Sequence, residues 1–223
     1  MSGSYVQALA LGIDPAWRRL PAAERKAGLR ALSAVLGEPS EVTTFSYSMI
    51  GLQAGTDLLL WSLAPSLDEL EVRSAAVLRT PLGGWMTVRE SFLGLIQPSQ
   101  YVKRPTEQEQ SLFSGARSRY LIVYPFTKDT SWYLLGKEAR QGVMNEHIRV
   151  GHQYPQVRQL LAYSFGLDDQ DYVVAYETDD LPAFGQLVRD LRATESRKST
   201  VRDTPILTAV HRSIEEIGAL LGA

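Results

Sequence analysis

Apolar and polar positions along the first half of the chain predict alternating helices and strands. Leu29, Leu32 and Leu36 recur at helical spacing within a stretch of strong helix formers, and Gly37 is placed to end that helix. A turn at residues 53–56 separates two strand-like runs. The predicted elements are a loose lead-in at 1–16, helices at 21–36 and 67–78, strands at 41–52 and 57–63, and a strand with irregular structure within 80–99.

The second half repeats this order after a polar stretch. Residues 102–118 are rich in charged and amide side chains and interrupt the apolar pattern, so they are predicted to be a linker. Runs of β-branched and aromatic residues then predict strands, and helical spacing predicts the helices between them. The predicted elements are strands at 120–124, 157–165, 171–177 and 205–210, and helices at 134–153, 181–193 and 213–221.

An internal repeat with an offset of about 115 residues relates the two halves. Corresponding pairs are Trp17 and Trp132, Arg25 and Arg140, Tyr47 and Tyr163, and Gly51 and Gly166. The element order predicts two ferredoxin-like units of the α+β class, at residues 1–110 and 111–223. Leu32 stands opposite His147, and the residues that could carry chemistry occur only in the second copy. The first half is therefore predicted to be structural, and the second half to hold the pocket.

His147 is the first candidate for chemistry. Ala139, Val143, His147 and Val150 follow one face of a helical period, which predicts a buried stripe. A buried histidine needs partners for its ring nitrogens. Two readings stay open at this point, a core histidine with satisfied hydrogen bonds and a ligand to a metal or haem iron.

Composition excludes several classes of function. The formal charge of −2 gives no reason to expect nucleic acid or an anionic membrane as the main partner. The absence of cysteine excludes disulfides, thiolate metal sites and covalent attachment of c-type haem. The first residues lack the features of a signal peptide, and no apolar run reaches the length of a membrane span, so a cytoplasmic protein is expected.

Several ordered motifs resemble the chlorite dismutase family of haem proteins, which includes the bacterial coproheme decarboxylases. The motifs are YPFTK at 124–128, WYLL at 132–135, NEH at 145–147, YSFGLDD at 163–169, YETDDL at 176–181 and LRATE at 191–195. The resemblance is close over residues 120–208 and looser in the N-terminal half. It implies two ferredoxin-like repeats forming a dimeric α+β barrel, and subunits that associate as a homo-oligomer, a pentameric ring.

The resemblance also implies roles for individual residues. His147 would be the proximal ligand to haem iron, with Glu195 as the carboxylate that receives its other N–H. Tyr124 matches the tyrosine that forms a radical in the decarboxylases, and Lys128 would pair with a propionate of the tetrapyrrole. Trp132 would line the same pocket.

Gln159 corresponds to the residue over the open face of the haem. Chlorite-splitting members carry arginine there, and several decarboxylases carry glutamine. Arg158 is adjacent, and a shift of one residue along a strand exchanges its two faces, so Arg158 is the alternative. The alternation of the strand favours Val157, Gln159 and Leu161 on the pocket side.

Three functions follow from the resemblance. The favoured one is peroxide-dependent conversion of iron coproporphyrin III (coproheme) to haem b. The alternatives are chlorite decomposition to chloride and O₂ by a haem b enzyme, and a haem-binding protein without catalysis. The expected partners are a tetrapyrrole together with hydrogen peroxide or chlorite.

Overall fold

The computed structural model describes residues 4–101 and 116–223, which divide into two compact units. The first unit comprises Met1–Ile96 and Thr208–Ala223, and the second comprises Gln97–Leu207. The C-terminal segment thus belongs to the first unit, which a division at residue 110 does not anticipate. The predicted linker at 102–118 lies largely outside the described residues.

The first unit is an antiparallel sheet that carries helices. Its elements are β1 (Ser4–Ile13), α1 (Ala22–Gly37), β2 (Thr43–Gln53), β3 (Thr56–Ala64), α2 (Leu67–Leu78) and β4 (Met86–Ile96), with short 3₁₀ helices at Pro15–Arg19 and Gly83–Trp85. β1 pairs with both β3 and β4, and β3 pairs with β2. The resulting order, β4–β1–β3–β2, is that of a ferredoxin-like unit.

β1 corrects the prediction of a loose lead-in at residues 1–16. It is a ten-residue strand that lies between β3 and β4, and residues 8–13 are all buried. A strand covered on both faces is apolar on both faces, so it lacks the alternation by which strands are recognised.

The core of the first unit is a cluster of closely packed apolar side chains, which includes the position that corresponds to His147. Trp17 is 1% exposed and packs in one cluster with Leu32, Leu60 and Val77. Each fully buried side chain of this size contributes about 1.5–3 kcal/mol to folding. Leu32, the counterpart of His147, is therefore a packing residue, as the repeat predicts.

The second unit has the same plan. Its elements are β5 (Tyr120–Lys128), α3 (Thr130–Leu134), α4 (Lys137–Gly151), β6 (Arg158–Tyr163), β7 (Tyr172–Thr178), α5 (Leu181–Arg192), a 3₁₀ helix at Glu195–Ser199 and β8 (Thr200–Arg202). β7 pairs with β5 and β6, and β8 pairs with β5. The strand order is therefore β6–β7–β5–β8, and the predicted α+β class with ferredoxin-like repeats is confirmed.

The predicted helix at 134–153 is two helices. Asp129 caps α3 by accepting the backbone N–H of Trp132, and Gly136 takes the N-cap position of α4 with an extended backbone. The break between them lets α4 start in a new direction.

Two short elements complete the chain. β9 (Leu207–His211) pairs with β2 through Tyr47 and Ser48, and α6 (Ile214–Leu220) follows it with a capping box at Ser213. None of the helices in residues 4–101 and 116–223 has both the length and the apolar character of a membrane-spanning segment.

Candidate functional site

One face of the second unit's sheet carries an aromatic surface. Tyr124 on β5 lies opposite Val174 on β7, and Gln159 on β6 lies opposite Tyr176 on β7. Directly opposed residues of an antiparallel pair point to the same face. Tyr124, Tyr176 and Gln159 therefore share this face, where Tyr124 and Tyr176 pack in one apolar cluster with Leu187 of α5.

Tyr124 and Tyr176 form a stacked pair on this face. Their ring centroids are 6.1 Å apart with an interplanar angle of 26°. Burial raises the pKa of Tyr124 well above its ordinary value. The electrostatic interaction with Tyr176, and a hydrogen bond to the same residue, raise this pKa further. The phenol of Tyr124 therefore stays protonated across the physiological range, with its O–H engaged by a second tyrosine.

Arg158 lies on the opposite face. It pairs with Glu177 across β6 and β7, and its guanidinium donates to the Glu177 carboxylate at 2.6 Å and to the hydroxyl of Ser118 at 3.0 Å. The side chain of Glu177 is fully buried and lies 3.6 Å from Arg117 as well. The structure thus separates the two alternatives, because Gln159 shares the face of Tyr124 and Arg158 does not. Arg158 is engaged by Glu177 on the far face, and its assignment to cofactor binding stays a prediction.

His147 lies on α4 with its imidazole largely enclosed. Its Nδ1 atom is buried and has no hydrogen-bond partner within residues 4–101 and 116–223. Burial, with a further contribution from the charge of Lys128, lowers the pKa of His147 to about 4. The ring is therefore neutral at pH 7, and a neutral imidazole is the form that ligates iron.

The stripe around His147 is less buried than the sequence predicts. Only Gly151 of α4 is fully buried, and Ala139 is exposed. Arg140 takes the place of Ala139, since it is half-buried and lies seven residues, or two helical turns, before His147. Leu161, on the face of Gln159 in β6, is 43% exposed although it is a large apolar residue. Both α4 and the Gln159 face of β6 therefore carry apolar side chains that the protein covers only in part.

Glu195 does not reach His147 in this structure. Its carboxylate binds Lys198 at 2.8 Å and is 55% exposed. The next residue, Ser196, is buried at 4% exposure and its hydroxyl lies against Met144 of α4. The pairing of Glu195 with His147 stays a prediction from the resemblance.

Lys128 is buried rather than free to reach a propionate. Its Nζ donates to the carbonyl oxygen of Ser196 at 2.6 Å and to the Ser196 hydroxyl at 2.9 Å. The ammonium also lies 4.5 Å from the centroid of the Trp132 ring, a cation–π contact. Burial lowers the pKa of Lys128 to about 8. Lys128 and Trp132 therefore lie together in the interior, and the ammonium of Lys128 is not exposed.

These observations fit a metal-bearing, flat apolar ligand. His147 offers an imidazole that is neutral and largely enclosed, and its Nδ1 has no hydrogen-bond partner among the residues that the structure describes. Partly exposed apolar side chains such as Leu161, with the tyrosines of β5 and β7, supply the surface that an apolar macrocycle needs.

Comparison with known proteins gives the same family by two routes. The chlorite dismutase family model matches residues 19–212. A coproheme decarboxylase from Mycolicibacterium smegmatis is 31% identical over 176 residues, which cover 78% of this chain and 75% of the relative.

Solved structures align with nearly the whole chain. A mutant chlorite dismutase from Candidatus Nitrospira defluvii superposes with a TM-score of 0.90 at 29% identity, covering 100% of this chain and 96% of the other. The structure of that enzyme in complex with imidazole gives 0.89 at 28% identity, covering 99% and 95%. A protein described as putative chlorite dismutase TA0507 shares the fold, with a TM-score of 0.85 at 23% identity and coverage of 99% and 100%.

Proposed function

Because the chain belongs to the chlorite dismutase family, we propose that it is a coproheme decarboxylase, which converts iron coproporphyrin III to haem b with hydrogen peroxide. One observation carries the choice within the family. Gln159 shares a sheet face with Tyr124, whereas the neighbouring Arg158 is bound to Glu177 on the other face. The site thus presents a neutral amide beside a buried phenol.

The reaction is an oxidation of two substituents of the tetrapyrrole. Each propionic acid side chain and one hydrogen peroxide give a vinyl group, carbon dioxide and two molecules of water. The side chain loses two electrons, and peroxide accepts them. The iron of the substrate supplies the activation of peroxide when the tetrapyrrole is bound.

His147 is the residue that would hold the iron. Its low pKa keeps the imidazole neutral at physiological pH, so no proton has to leave before a metal binds. Its Nδ1 has no protein acceptor among the described residues, and Glu195 is turned away to Lys198. We infer an imidazole that is a weaker electron donor than one bonded to a carboxylate.

Tyr124 is the residue that would carry the oxidation to the propionate. Its raised pKa keeps the proton on the phenol, so the O–H is available as a hydrogen-atom donor. Tyr176 is positioned to hold that O–H in one direction. Lys128 is assigned a different role from pairing with a propionate, since its ammonium is bonded to Ser196 beside the Trp132 ring.

The identity of Gln159 supports the choice of peroxide over chlorite. Chlorite and hypochlorite are anions, and a guanidinium holds an anion with hydrogen bonds roughly twice as strong as those of a neutral amide. A neutral donor at this position suits peroxide, which carries no charge at neutral pH. A homo-oligomer, pentameric by resemblance, and a cytoplasmic location remain predictions that accompany this function.

The direct test uses the purified, ligand-free protein. Iron coproporphyrin III and hydrogen peroxide are added, and the mass of the product is followed for the loss of two carboxyl groups. Tyr124→Phe is the matched control, because it keeps the ring and its packing and removes only the phenolic O–H. Product at the wild-type rate in Tyr124→Phe would exclude the radical role. No product from the wild type would exclude decarboxylation.

Chlorite decomposition is the second candidate. The chlorite dismutase structures from Candidatus Nitrospira defluvii align over nearly the whole chain, and this likeness favours it. Rapid evolution of O₂ from chlorite by the wild type, with no conversion of coproheme, would replace the first proposal with this one. Failure of both substrates would favour a haem-binding protein without catalysis.

A further inference from the structure

The aromatic face of the second unit's sheet continues past Tyr124. Phe126 follows two residues along β5 and lies opposite Tyr172 on β7, with the two ring centroids 6.0 Å apart. Tyr124 lies opposite Val174, so Tyr172 is its diagonal neighbour on the same face. Diagonal neighbours have Cα atoms about 7–8 Å apart, within reach of aromatic side chains. Tyr172 therefore stands beside the phenol that the proposed reaction uses, on the side away from Tyr176.

Ring contacts lead from Tyr172 to a tyrosine that is partly exposed. The ring centroid of Phe165 lies 5.1 Å from that of Tyr172 and 5.8 Å from that of Tyr133 on α3, and both contacts are edge to face. Tyr133 is 36% exposed, and Phe165 is 48% exposed. The aromatic contacts thus extend from the neighbourhood of Tyr124 to the solvent.

Tyr133 has a proton acceptor already in place. Its hydroxyl donates to the carboxylate of Asp171 at 2.5 Å. Burial raises the pKa of Tyr133 above its ordinary value, and the hydrogen bond to Asp171 raises it further, so the phenol keeps its proton at physiological pH. A phenol that loses an electron becomes a strong acid, and its oxidation is easiest where an acceptor lies within hydrogen-bonding reach.

Tyr163 is a tyrosine of the same cluster without this arrangement. Its ring centroid lies 5.4 Å from that of Tyr172. Within residues 4–101 and 116–223, the Tyr163 hydroxyl has no carboxylate partner. Of these two neighbours of the Phe165 ring, Tyr133 is therefore the one that can lose an electron and a proton together.

We propose that Tyr133 and Asp171 form a second oxidation site, which takes over an oxidising equivalent from Tyr124 and spends it on a phenolic one-electron donor at the surface. The inference rests on the proposed function for the oxidation of Tyr124 by peroxide. Tyr133 gives its electron to the Tyr124 radical and its proton to Asp171, while Tyr124 recovers its O–H with a proton from water. The donor then returns a hydrogen atom to Tyr133 and leaves as a phenoxyl radical, and Asp171 releases its proton to water.

The experiment uses the full-length protein loaded with haem b, which lacks the two propionates that decarboxylation would consume. Hydrogen peroxide is added with guaiacol as the phenolic donor, and guaiacol oxidation is followed by absorbance. In a second sample a nitroso spin trap replaces the donor, and mass spectrometry of the digested protein locates the trapped radical.

Two variants separate the electron donor from the proton acceptor. Tyr133→Phe keeps the ring and removes the hydroxyl, and Asp171→Asn keeps an oxygen that can accept the backbone N–H of Lys128. The matched control is Tyr163→Phe, which removes a hydroxyl from the same cluster of rings.

Wild type should carry the spin trap on Tyr133. Asp171→Asn should lower both the yield of this adduct and the rate of guaiacol oxidation about 10-fold or more, because a positioned proton acceptor contributes at least that much. Tyr133→Phe should lack the adduct and lose guaiacol oxidation to the same extent. Tyr163→Phe should behave as wild type, and all three variants should bind haem b with the wild-type absorption spectrum.

Four outcomes would overturn the inference. They are a wild type whose adducts lie only at other residues, an unchanged rate of guaiacol oxidation in Tyr133→Phe, an equal loss in Tyr163→Phe, and an altered haem spectrum in both Tyr133→Phe and Asp171→Asn, which would make the pair structural. A wild type that oxidises guaiacol through Tyr133 but converts no coproheme would refute the proposed decarboxylation and leave the second oxidation site standing.

Discussion

The buried ammonium of Lys128 makes the stability of the ligand-free protein depend on pH in an unusual direction. Lys128 is 6% exposed, and burial lowers its pKa from 10.5 to about 8. In the unfolded chain it regains its ordinary pKa. Between pH 8 and pH 10.5 the unfolded chain therefore binds more protons than the folded protein, and stability rises with pH. The cost of burying the charge is fully present below pH 8 and is relieved above it.

The size of the effect follows from the two pKa values. A shift of one unit corresponds to 1.36 kcal/mol, so the full relief is about 3 kcal/mol. Most of it appears before pH 9.5, and the gain in free energy of unfolding between pH 7 and pH 9.5 is about 2 kcal/mol. This is a large share of the total stability of a typical domain.

The assay measures the free energy of unfolding in urea at pH 7 and at pH 9.5, for wild type and for Lys128→Met. The change in this free energy from pH 7 to pH 9.5 is then compared between the two proteins. Lys128→Met should lack the gain of about 2 kcal/mol that the wild type shows. Lys198→Met is the control, because Lys198 is 74% exposed and should keep the gain.

A wild type whose pH difference equals that of Lys128→Met would refute the reasoning. The ammonium of Lys128 would then be exposed to solvent in the ligand-free protein, and it would be free to pair with a propionate, as the sequence predicts. Loss of the gain in Lys198→Met as well would place its origin elsewhere in the chain.

Three further predictions concern the site directly. His147→Ala should lose the iron–histidine stretching band in the resonance Raman spectrum of the haem-loaded protein, and an unchanged band would remove His147 as the ligand. Gln159→Arg should raise chlorite turnover, measured as O₂ evolution, roughly tenfold or more, because it places a cation on the pocket face; an unchanged rate would contradict that placement. Arg158→Gln should leave chlorite turnover low. It should also lower the free energy of unfolding by roughly 3 kcal/mol, because it breaks a buried ion pair. A chemical denaturation curve like that of wild type would contradict the pairing.

The repeat made most of the fold predictable from sequence. Periodic leucines and turn residues mark α1, α2 and the strands between them, and the second copy follows the same order. β1 was not predicted as a strand, because apolar side chains on both of its faces remove the alternation of apolar and polar residues that marks a strand. The division of the predicted helix into α3 and α4 was not predicted, because a glycine inside a helical pattern is compatible with one continuous helix and with two separate helices.

The site was predictable at the level of strands and less so at the level of single side chains. The alternation along β6 separates Gln159 from Arg158, since neighbours on a strand point to opposite faces. The direction of the Glu195 side chain could not be read from the sequence, because it lies in a 3₁₀ helix that has no simple alternation of faces and in which the next residue, Ser196, is the buried one. The burial of Lys128 was hidden because its acceptor, Ser196, is 68 residues away in sequence.

The ion pairs of Glu177 restrict how this chain could acquire another chemistry. A shift of β6 by one residue would bring Arg158 to the pocket and carry Gln159 to the far face, but it would strand a fully buried carboxylate that now has two arginines beside it. Breaking a buried pair of this kind costs about 3–5 kcal/mol, a large fraction of what holds a domain folded. Small insertions and deletions before β6 are therefore expected to destabilise the folded chain. A codon change at position 159 remains open, since it exchanges the residue over the site and leaves the strand where it is.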